Sequence, residues 1–296
     1  MEIDLRKKVS FYLDLSLFLK SRYVYELGQG LAEEKRMAII KGLEWTFNTV
    51  AEEYDKWSPE YVSELYEDLF DYQPLTLNSE ALEVGIGTGQ ATLPILRTGC
   101  KLTAVELGDQ LAELTRRKFK DYVNLAVVTS SFQDFDDRED HYDLIYSASA
   151  FHWIPEKIGY PKVYQMLKSK GTFARFAKHG NYRLGNQDMY EKIQEIYAQY
   201  MPYSVATPPF SEADAMKRSK ISLRYGFIDQ KVKLYTRKRS YTAQEYVSLI
   251  ATQSDHIVLK ESLKNQFYSA IKQVIEDKGG RIELIDTIDL ELARKP

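Results

Sequence analysis

The feature that most constrains this chain is the stretch Ser79–Thr92, in which three glycines occur at alternate positions. An apolar run ends at Val84, Gly85, Gly87 and Gly89 follow, and apolar residues then resume with helical spacing. Glycine tolerates positive φ and, lacking a Cβ, lets a ligand lie directly against the backbone. The pattern therefore predicts a strand, a tight turn and a helix, with a nucleotide-type cofactor at the turn.

The spacing of the glycines narrows the choice of cofactor. A dinucleotide-binding loop requires Gly or Ala at the sixth position of the series, where this chain has Gln90, and no Gly-Lys-Ser/Thr follows as in a P-loop. Glu83 precedes the first glycine by two residues and suits a cofactor with a cationic amino-acid tail. A second predicted strand, Lys101–Glu106, ends in a carboxylate that can accept hydrogen bonds from the hydroxyls of a ribose.

Three later stretches complete a family pattern. With Val127–Phe135, Tyr142–Ile154 and Leu167–Ala174 in order behind the glycine loop, the sequence resembles the class I S-adenosylmethionine (AdoMet) dependent methyltransferases over residues 44–178. The ending Phe151-His152-Trp153 is similar to small-molecule enzymes of the trans-aconitate methyltransferase kind. The resemblance implies an α/β, doubly wound, Rossmann-like sheet of seven strands, the last antiparallel, with a helical cap. It also implies AdoMet as cofactor and S-adenosylhomocysteine (AdoHcy) as product.

A predicted helix before the glycine loop resembles the lid of the same family. Trp45–Asp55 fits the pattern Phe-Asn-x-x-Ala-x-x-Tyr-Asp, which places Tyr54 over the cofactor. The family often continues with Arg-Pro, whereas this chain reads Trp57-Ser58-Pro59. The departure removes a bidentate donor for the AdoMet carboxylate.

The resemblance implies a set of site residues. Cofactor contacts are expected from Tyr54, Glu83, Gly85, Gly87, Thr88, Gly89, Glu106, Leu107, Ser131, Phe132, Ser147 and Ala148. The substrate pocket is expected at Trp57, Phe151 and Trp153. His152 is the candidate general base, because an unperturbed imidazole titrates near neutral pH, although its turn also serves as a structural platform in the family. No metal site is expected, since the single cysteine, Cys100, cannot build one and is interpreted as a buried structural thiol.

The chain divides into four predicted parts. Residues 1–40 form an N-terminal helical extension, 41–180 the AdoMet-binding core, 181–225 a cap insertion, and 226–296 the C-terminal completion of the sheet. The extension is expected to pack either on its own domain or on a twin subunit, which would give a homodimer.

Charge and hydropathy exclude several classes of partner. A formal net charge of −3 lacks the basic footprint of a nucleic-acid binder. Asp14 interrupts the apolar stretch around Phe11 to Leu19, so neither a signal peptide nor a membrane span is expected, and the predicted location is cytoplasmic. The basic run Arg237-Lys238-Arg239 suggests an acidic substrate, but a charge run is usually only a solvated face, and it is interpreted as one.

The predicted function is methyl transfer to a small-molecule acceptor, mainly by positioning and desolvation. Whether oxygen, nitrogen or carbon is methylated stays open. The alternative is a non-catalytic AdoMet- or AdoHcy-binding protein with a regulatory or structural role.

Overall fold

The computed structural model describes residues 43–181, 186–202 and 209–296. The predicted N-terminal extension and its dimer contact lie outside these residues. The first half of the described chain contains a 3-10 helix at Leu43–Val50, α1 at Ala51–Trp57, α2 at Ser63–Tyr72, β1 at Glu80–Val84, α3 at Thr92–Leu96, β2 at Lys101–Glu106, α4 at Asp109–Lys118, β3 at Leu125–Thr129 and β4 at Tyr142–Ala148.

The second half begins with a 3-10 turn at Phe151–Trp153. It continues with α5 at Glu156–Met166, β5 at Leu167–Asn181, α6 at Gln187–Tyr200, α7 at Glu212–Leu223, β6 at Ile228–Thr242, α8 at Ala243–Ala251, α9 at Ser254–Ile257, α10 at Glu261–Asp277 and β7 at Arg281–Arg294. Residues Trp45–Pro296 form one compact unit.

The seven strands form one sheet in the order β3-β2-β1-β4-β5-β7-β6. The first five strands pair in parallel, and β7 pairs antiparallel with both β5 and β6. This confirms the predicted fold, including the antiparallel last strand. The strand order reverses beside β1, and in such sheets the ligand crevice opens at that point, outside the carboxyl ends of the strands. The glycine loop follows β1 directly into this crevice.

The burial of β1 inside the sheet explains why its sequence is mostly apolar. Residues 81–84 of β1 are all buried, as expected for a central parallel strand with helices on both faces. The only cysteine, Cys100, is buried and free, in agreement with its interpretation as a structural thiol.

The helical cap is assembled from several parts of the chain. Buried apolar residues of α6, α8 and α10 pack together with Ile282 and Leu284 at the start of β7. The first residues of β7 pair with the end of β6, as in Tyr241↔Ile282, beyond the last pairs that β7 makes with β5. The long strands β6 and β7 therefore extend past the carboxyl end of β5 and carry the cap above the crevice.

Candidate active site

The glycine loop adopts a backbone that side chains rarely permit. Gly85, Gly87 and Gly89 have φ values of 76°, 58° and 83°. A Cβ on Gly85 would lie 2.4 Å from the Cβ of Ala150, and one on Gly89 would lie 2.3 Å from the ring of Phe119. Packing therefore requires the outer two glycines, whereas the middle one offers bare backbone to a ligand.

The loop is anchored by a carboxylate at the end of β2. Oε2 of Glu106 accepts a hydrogen bond from the Gly87 amide at 2.8 Å, and Oε1 accepts one from the Gly108 amide at 2.9 Å. Burial raises the pKa of Glu106, and the amides of Gly108 and Gly87 oppose that rise. A carboxylate has about four acceptor positions, so the two oxygens can still accept hydrogen bonds from ribose hydroxyls.

Glu83 at the end of β1 is fully buried, with 0% of its surface exposed. Its Oε2 accepts hydrogen bonds from the hydroxyls of Thr92 and Tyr146, both at 2.7 Å. Its Oε1 has no hydrogen-bond partner among the described residues. Burial raises the pKa of Glu83 to about 7. A buried acceptor without a donor beside the glycine loop fits the ammonium group of AdoMet.

The lid covers the middle glycine. A Cβ on Gly87 would lie 3.7 Å from Cε1 of Tyr54, so the tyrosine ring lies over the loop backbone. Lys118 of α4 connects the two, because its Nζ contacts Asp55 Oδ1 at 2.6 Å and the carbonyl of Thr88 at 3.0 Å. The lid and the loop are therefore held together by an ion pair as well as by the aromatic contact.

Asn48 is a site residue that sequence reasoning missed. Its Oδ1 accepts hydrogen bonds from the amides of Gln110 at 2.8 Å and Leu111 at 3.2 Å, and its Nδ2 donates to Asp109 at 2.7 Å. It satisfies amides at the amino end of α4, immediately after the predicted contacts Glu106 and Leu107. The signal was present, since Asn48 is the Asn of the Phe-Asn lid pattern.

Several predicted cofactor residues have their polar groups engaged within the protein. The Ser131 hydroxyl donates to Asp134 at 2.7 Å, and the buried Ser147 hydroxyl donates to the carbonyl of Val84 at 2.7 Å. Thr88 is buried and its hydroxyl accepts from Gln90. The remaining three of the set are the buried Phe132 and the partly buried Leu107 and Ala148. Contact of these residues with the cofactor stays a prediction.

The three aromatic residues predicted for the substrate pocket lie in different environments. Phe151 is buried in the core, with its ring centroid 4.8 Å from that of Phe173. Trp57 packs against the cap, and its Nε1 donates to Glu53 at 3.1 Å. Trp153 lies edge-on to Phe47 of the lid at 6.2 Å. Trp153 is thus the member of the set that lies against the lid.

His152 lies near two arginines that are themselves paired with carboxylates. It retains exposed surface, yet desolvation and the nearby Arg175 and Arg218 lower its pKa to about 4. The two arginines are held by β7, where Arg218 pairs with both Asp289 and Glu291, and Arg175 lies 3.9 Å from Glu291. The imidazole is therefore neutral at pH 7 and able to accept a hydrogen bond.

In the three described ranges, no group of three or more His, Cys, Asp or Glu side chains is placed to hold a metal ion. Of the helices in those same ranges, none combines the length and apolarity required to cross a bilayer.

Known proteins with similar sequences are methyltransferases. Residues 81–171 match the family described as "Methyltransferase domain". An uncharacterized methyltransferase of Schizosaccharomyces pombe is 22% identical over 248 residues, which cover 83% of this chain and 93% of that protein.

Solved structures share the fold at low identity. One of them is from Anaeromyxobacter dehalogenans and is described as a type II methyltransferase. Its TM-score is 0.59 at 14% identity, and the alignment covers 80% of this chain and 97% of that chain. Phosphoethanolamine N-methyltransferase 2 of Haemonchus contortus has a TM-score of 0.50 at 15% identity. The alignment covers 84% of this chain and 57% of that enzyme. The match over residues 81–171 identifies a methyltransferase domain in this chain, and its sheet order, glycine loop and two carboxylates are those expected of a class I AdoMet-dependent methyltransferase.

Proposed function

We propose that this protein transfers the methyl group of AdoMet to a small-molecule acceptor bound between the carboxyl end of the sheet and the helical cap. The observation that carries the proposal is the lid. Tyr54 lies over Gly87, and Lys118 ties the lid to the loop, so the cofactor position is covered by the chain itself. A cap above the same crevice leaves room for a small acceptor and shields it from water.

The residues present fit the cofactor. Glu106 would accept hydrogen bonds from the ribose, the backbone at Gly87 would lie against the cofactor, and Glu83 would face its ammonium group. Bound AdoMet supplies an electrophilic methyl group on a positively charged sulfur. The chain's contribution is to orient the acceptor and exclude water, and orientation of this kind can lower a barrier by about 7 to 11 kcal/mol.

We propose that His152 orients the acceptor. With a pKa near 4 it is neutral at pH 7 and can accept a hydrogen bond from an acceptor hydroxyl or amine. The same low pKa makes it a weak base, so positioning is expected to outweigh proton abstraction in its contribution. A His152→Gln variant, which keeps an acceptor atom, is then expected to retain more activity than His152→Ala.

The test of the proposed function begins with the cofactor. Calorimetric titration with AdoMet and AdoHcy is expected to show binding to the wild type. Glu106→Ala is expected to weaken it by about 1.5 to 3 kcal/mol, roughly 10- to 150-fold, the range for hydrogen bonds to a charged group. Glu113→Ala is the matched control, because Glu113 lies on the neighbouring α4 with an exposed side chain paired to Arg116.

Methyl transfer is then measured with methyl-labelled AdoMet over a panel of small hydroxyl, amine and carboxylate compounds. Transfer to a member of the panel supports the proposal. Tight cofactor binding without transfer to any acceptor would favour the non-catalytic alternative. An unchanged cofactor affinity in Glu106→Ala would refute the assignment of the β2 carboxylate.

A further inference from the structure

A second cavity lies beside the cofactor crevice. Its volume is about 280 Å³, and it opens between the lid end at Ser58 and Pro59, the end of β5, the paired strands β6 and β7, and the cap helices α6 and α8. Its charged lining residues are Lys178, Arg239 and Asp286. No glycine of the cofactor loop is among the residues that line it.

Two guanidinium groups share the Asp286 carboxylate, and one of them, that of Arg239, lines the cavity. Arg239 binds Asp286 through Nε at 2.6 Å and Nη2 at 2.8 Å. Arg237 binds the same carboxylate at 2.9 Å and donates to the carbonyl of Glu60 at 2.6 Å. Nε of Arg237 and Nη1 of Arg239 are left buried without an acceptor among the described residues. Buried donors of this kind are costly unless a ligand or water accepts from them.

A lysine adds to the positive charge. Nζ of Lys178 donates to the carbonyl of Pro59 and lies 4.6 Å from the centre of the Tyr61 ring. Burial and the neighbouring Arg237 and Arg239 lower the pKa of Lys178 to about 7, while Asp286 and Glu60 oppose that change. Within the described part of the chain, Lys178 forms no ion pair with a carboxylate. The cavity therefore has a surplus of hydrogen-bond donors and of positive charge.

The three residues of the basic run on β6 point to opposite faces of the strand. Lys238 points outward, with 62% of its side chain exposed, and pairs with Glu283 at 2.8 Å. Arg237 and Arg239 point inward, with 21% and 16% exposed. Successive side chains of a strand alternate between its faces, so the predicted solvated face holds for Lys238 and is wrong for the two arginines.

The cavity is linked to the place where the methyl group would be transferred. The Ser149 hydroxyl lies 2.8 Å from the hydroxyl of Tyr61 and 3.4 Å from the backbone nitrogen of Lys178. The next residue, Ala150, contacts Gly85 of the cofactor loop. Two adjacent residues therefore contact Lys178 on the cavity side and Gly85 on the side of the cofactor loop.

We propose that this cavity binds the anionic group, a carboxylate or a phosphate, of the methyl acceptor, with Lys178 and Nη1 of Arg239 as donors. The inference rests on the proposed function and narrows its substrate class. A carboxylate or phosphate supplies the acceptor that Nη1 of Arg239 lacks and balances the surplus charge. Because no glycine of the cofactor loop lines the cavity, we assign the site to the acceptor and not to the cofactor.

The test measures anion binding directly. Acetate and methyl phosphate each carry a methyl group visible by ligand-observed NMR, and each is titrated into the protein with and without saturating AdoHcy. The wild type is expected to bind at least one of them, and the tighter of the two tells a carboxylate from a phosphate acceptor. Lys178→Met is expected to raise the dissociation constant at least tenfold. Lys238→Met, which removes an equal charge next to the same arginines, is expected to change it less than twofold.

A charge-conserving variant separates geometry from charge. Arg239→Lys keeps the positive charge but removes the free Nη1 donor, and it is expected to weaken anion binding about three- to tenfold. It also provides a second measurement should Lys178→Met fold poorly, which circular dichroism and AdoHcy affinity would reveal.

Three results would overturn the inference. The first is that neither anion binds the wild type, and the second is that Lys238→Met weakens anion binding as much as Lys178→Met does. The third is that Lys178→Met weakens AdoHcy binding tenfold while anion binding is unchanged. The last result would assign these cations to the cofactor. Failure of the proposed function is seen separately, as absent AdoHcy binding or absent methyl transfer, because the anion titration is also run without cofactor.

Discussion

Replacing Glu83 by glutamine tests whether the protein fully offsets the cost of burying a charged carboxylate at the end of β1. Glutamine has nearly the same shape and keeps an oxygen that can accept hydrogen bonds from Thr92 and Tyr146. It cannot ionise. The free energy of unfolding of the variant therefore does not depend on the protonation of this side chain, whereas that of the wild type does. The difference in stability between the two proteins then changes with pH.

The magnitude follows from the pKa. Burial raises the pKa of Glu83 from 4.5 to about 7, and each pH unit of difference between folded and unfolded chains corresponds to about 1.4 kcal/mol. Below pH 4.5 the group is protonated in both states. Between there and pH 7 the folded chain keeps the proton that the unfolded chain has lost, so stability falls as the pH rises. The total loss is about 3 kcal/mol, and it is complete above pH 7.

The assay is urea unfolding of the cofactor-free protein at pH 5, 6, 7 and 8. The free energy of unfolding of Glu83→Gln relative to the wild type is expected to rise across this range by about 2 to 3 kcal/mol. A constant offset between the two proteins is allowed, because the glutamine nitrogen replaces an oxygen that already lacked a partner. Only the change with pH measures the buried charge.

The matched control is Glu80→Gln, at the other end of the same strand. Glu80 is partly exposed and pairs with Lys101 at 3.0 Å, so its neutralisation is expected to alter stability by less than about 1 kcal/mol. Parallel stability curves for the wild type and Glu83→Gln from pH 5 to 8 would refute the reasoning. They would mean that water or a relaxed backbone already solvates the carboxylate.

Three further predictions follow from contacts in the site. Gly89→Ala is expected to lower the free energy of unfolding by about 1 to 3 kcal/mol, because its Cβ would lie 2.3 Å from the Phe119 ring at a positive φ, and an unchanged urea midpoint would contradict this. Tyr54→Ala is expected to weaken AdoHcy binding about tenfold in calorimetry, whereas Tyr54→Phe keeps the ring over Gly87 and is expected to bind nearly as well; equal losses would show that the hydroxyl matters instead. Acetate affinity measured by NMR is expected to fall as the pH rises through about 7, where Lys178 loses its proton, and to lose this dependence in Lys178→Met.

Much of the cofactor loop was predictable because it is local. The positive φ of three alternating glycines, the acid before them and the strand that ends in Glu106 lie within a short stretch of chain. Backbone conformation there depends on which residues lack a Cβ, and this is written directly in the sequence.

The cap and the second cavity depend on contacts between distant parts of the chain. Asn48 caps a helix 62 residues later, a partnership that no local spacing reveals. Trp57 lies against the cap because of how α6, α8 and α10 pack, which its local sequence does not show, and its place in the substrate pocket stays a prediction.

By itself, the sequence determined the strand, turn and helix around the glycine loop and the strand that ends in Glu106, since hydrophobic period and glycine position act over a few residues. Only the tertiary structure decided which charged residues became buried partners. Arg237 and Arg239 meet Asp286 because β6 pairs with β7, and Lys178 joins them because β5 lies on the other side of β7. Such a cluster is fixed by strand pairing across the sheet, where residues far apart in the chain share one low-dielectric environment.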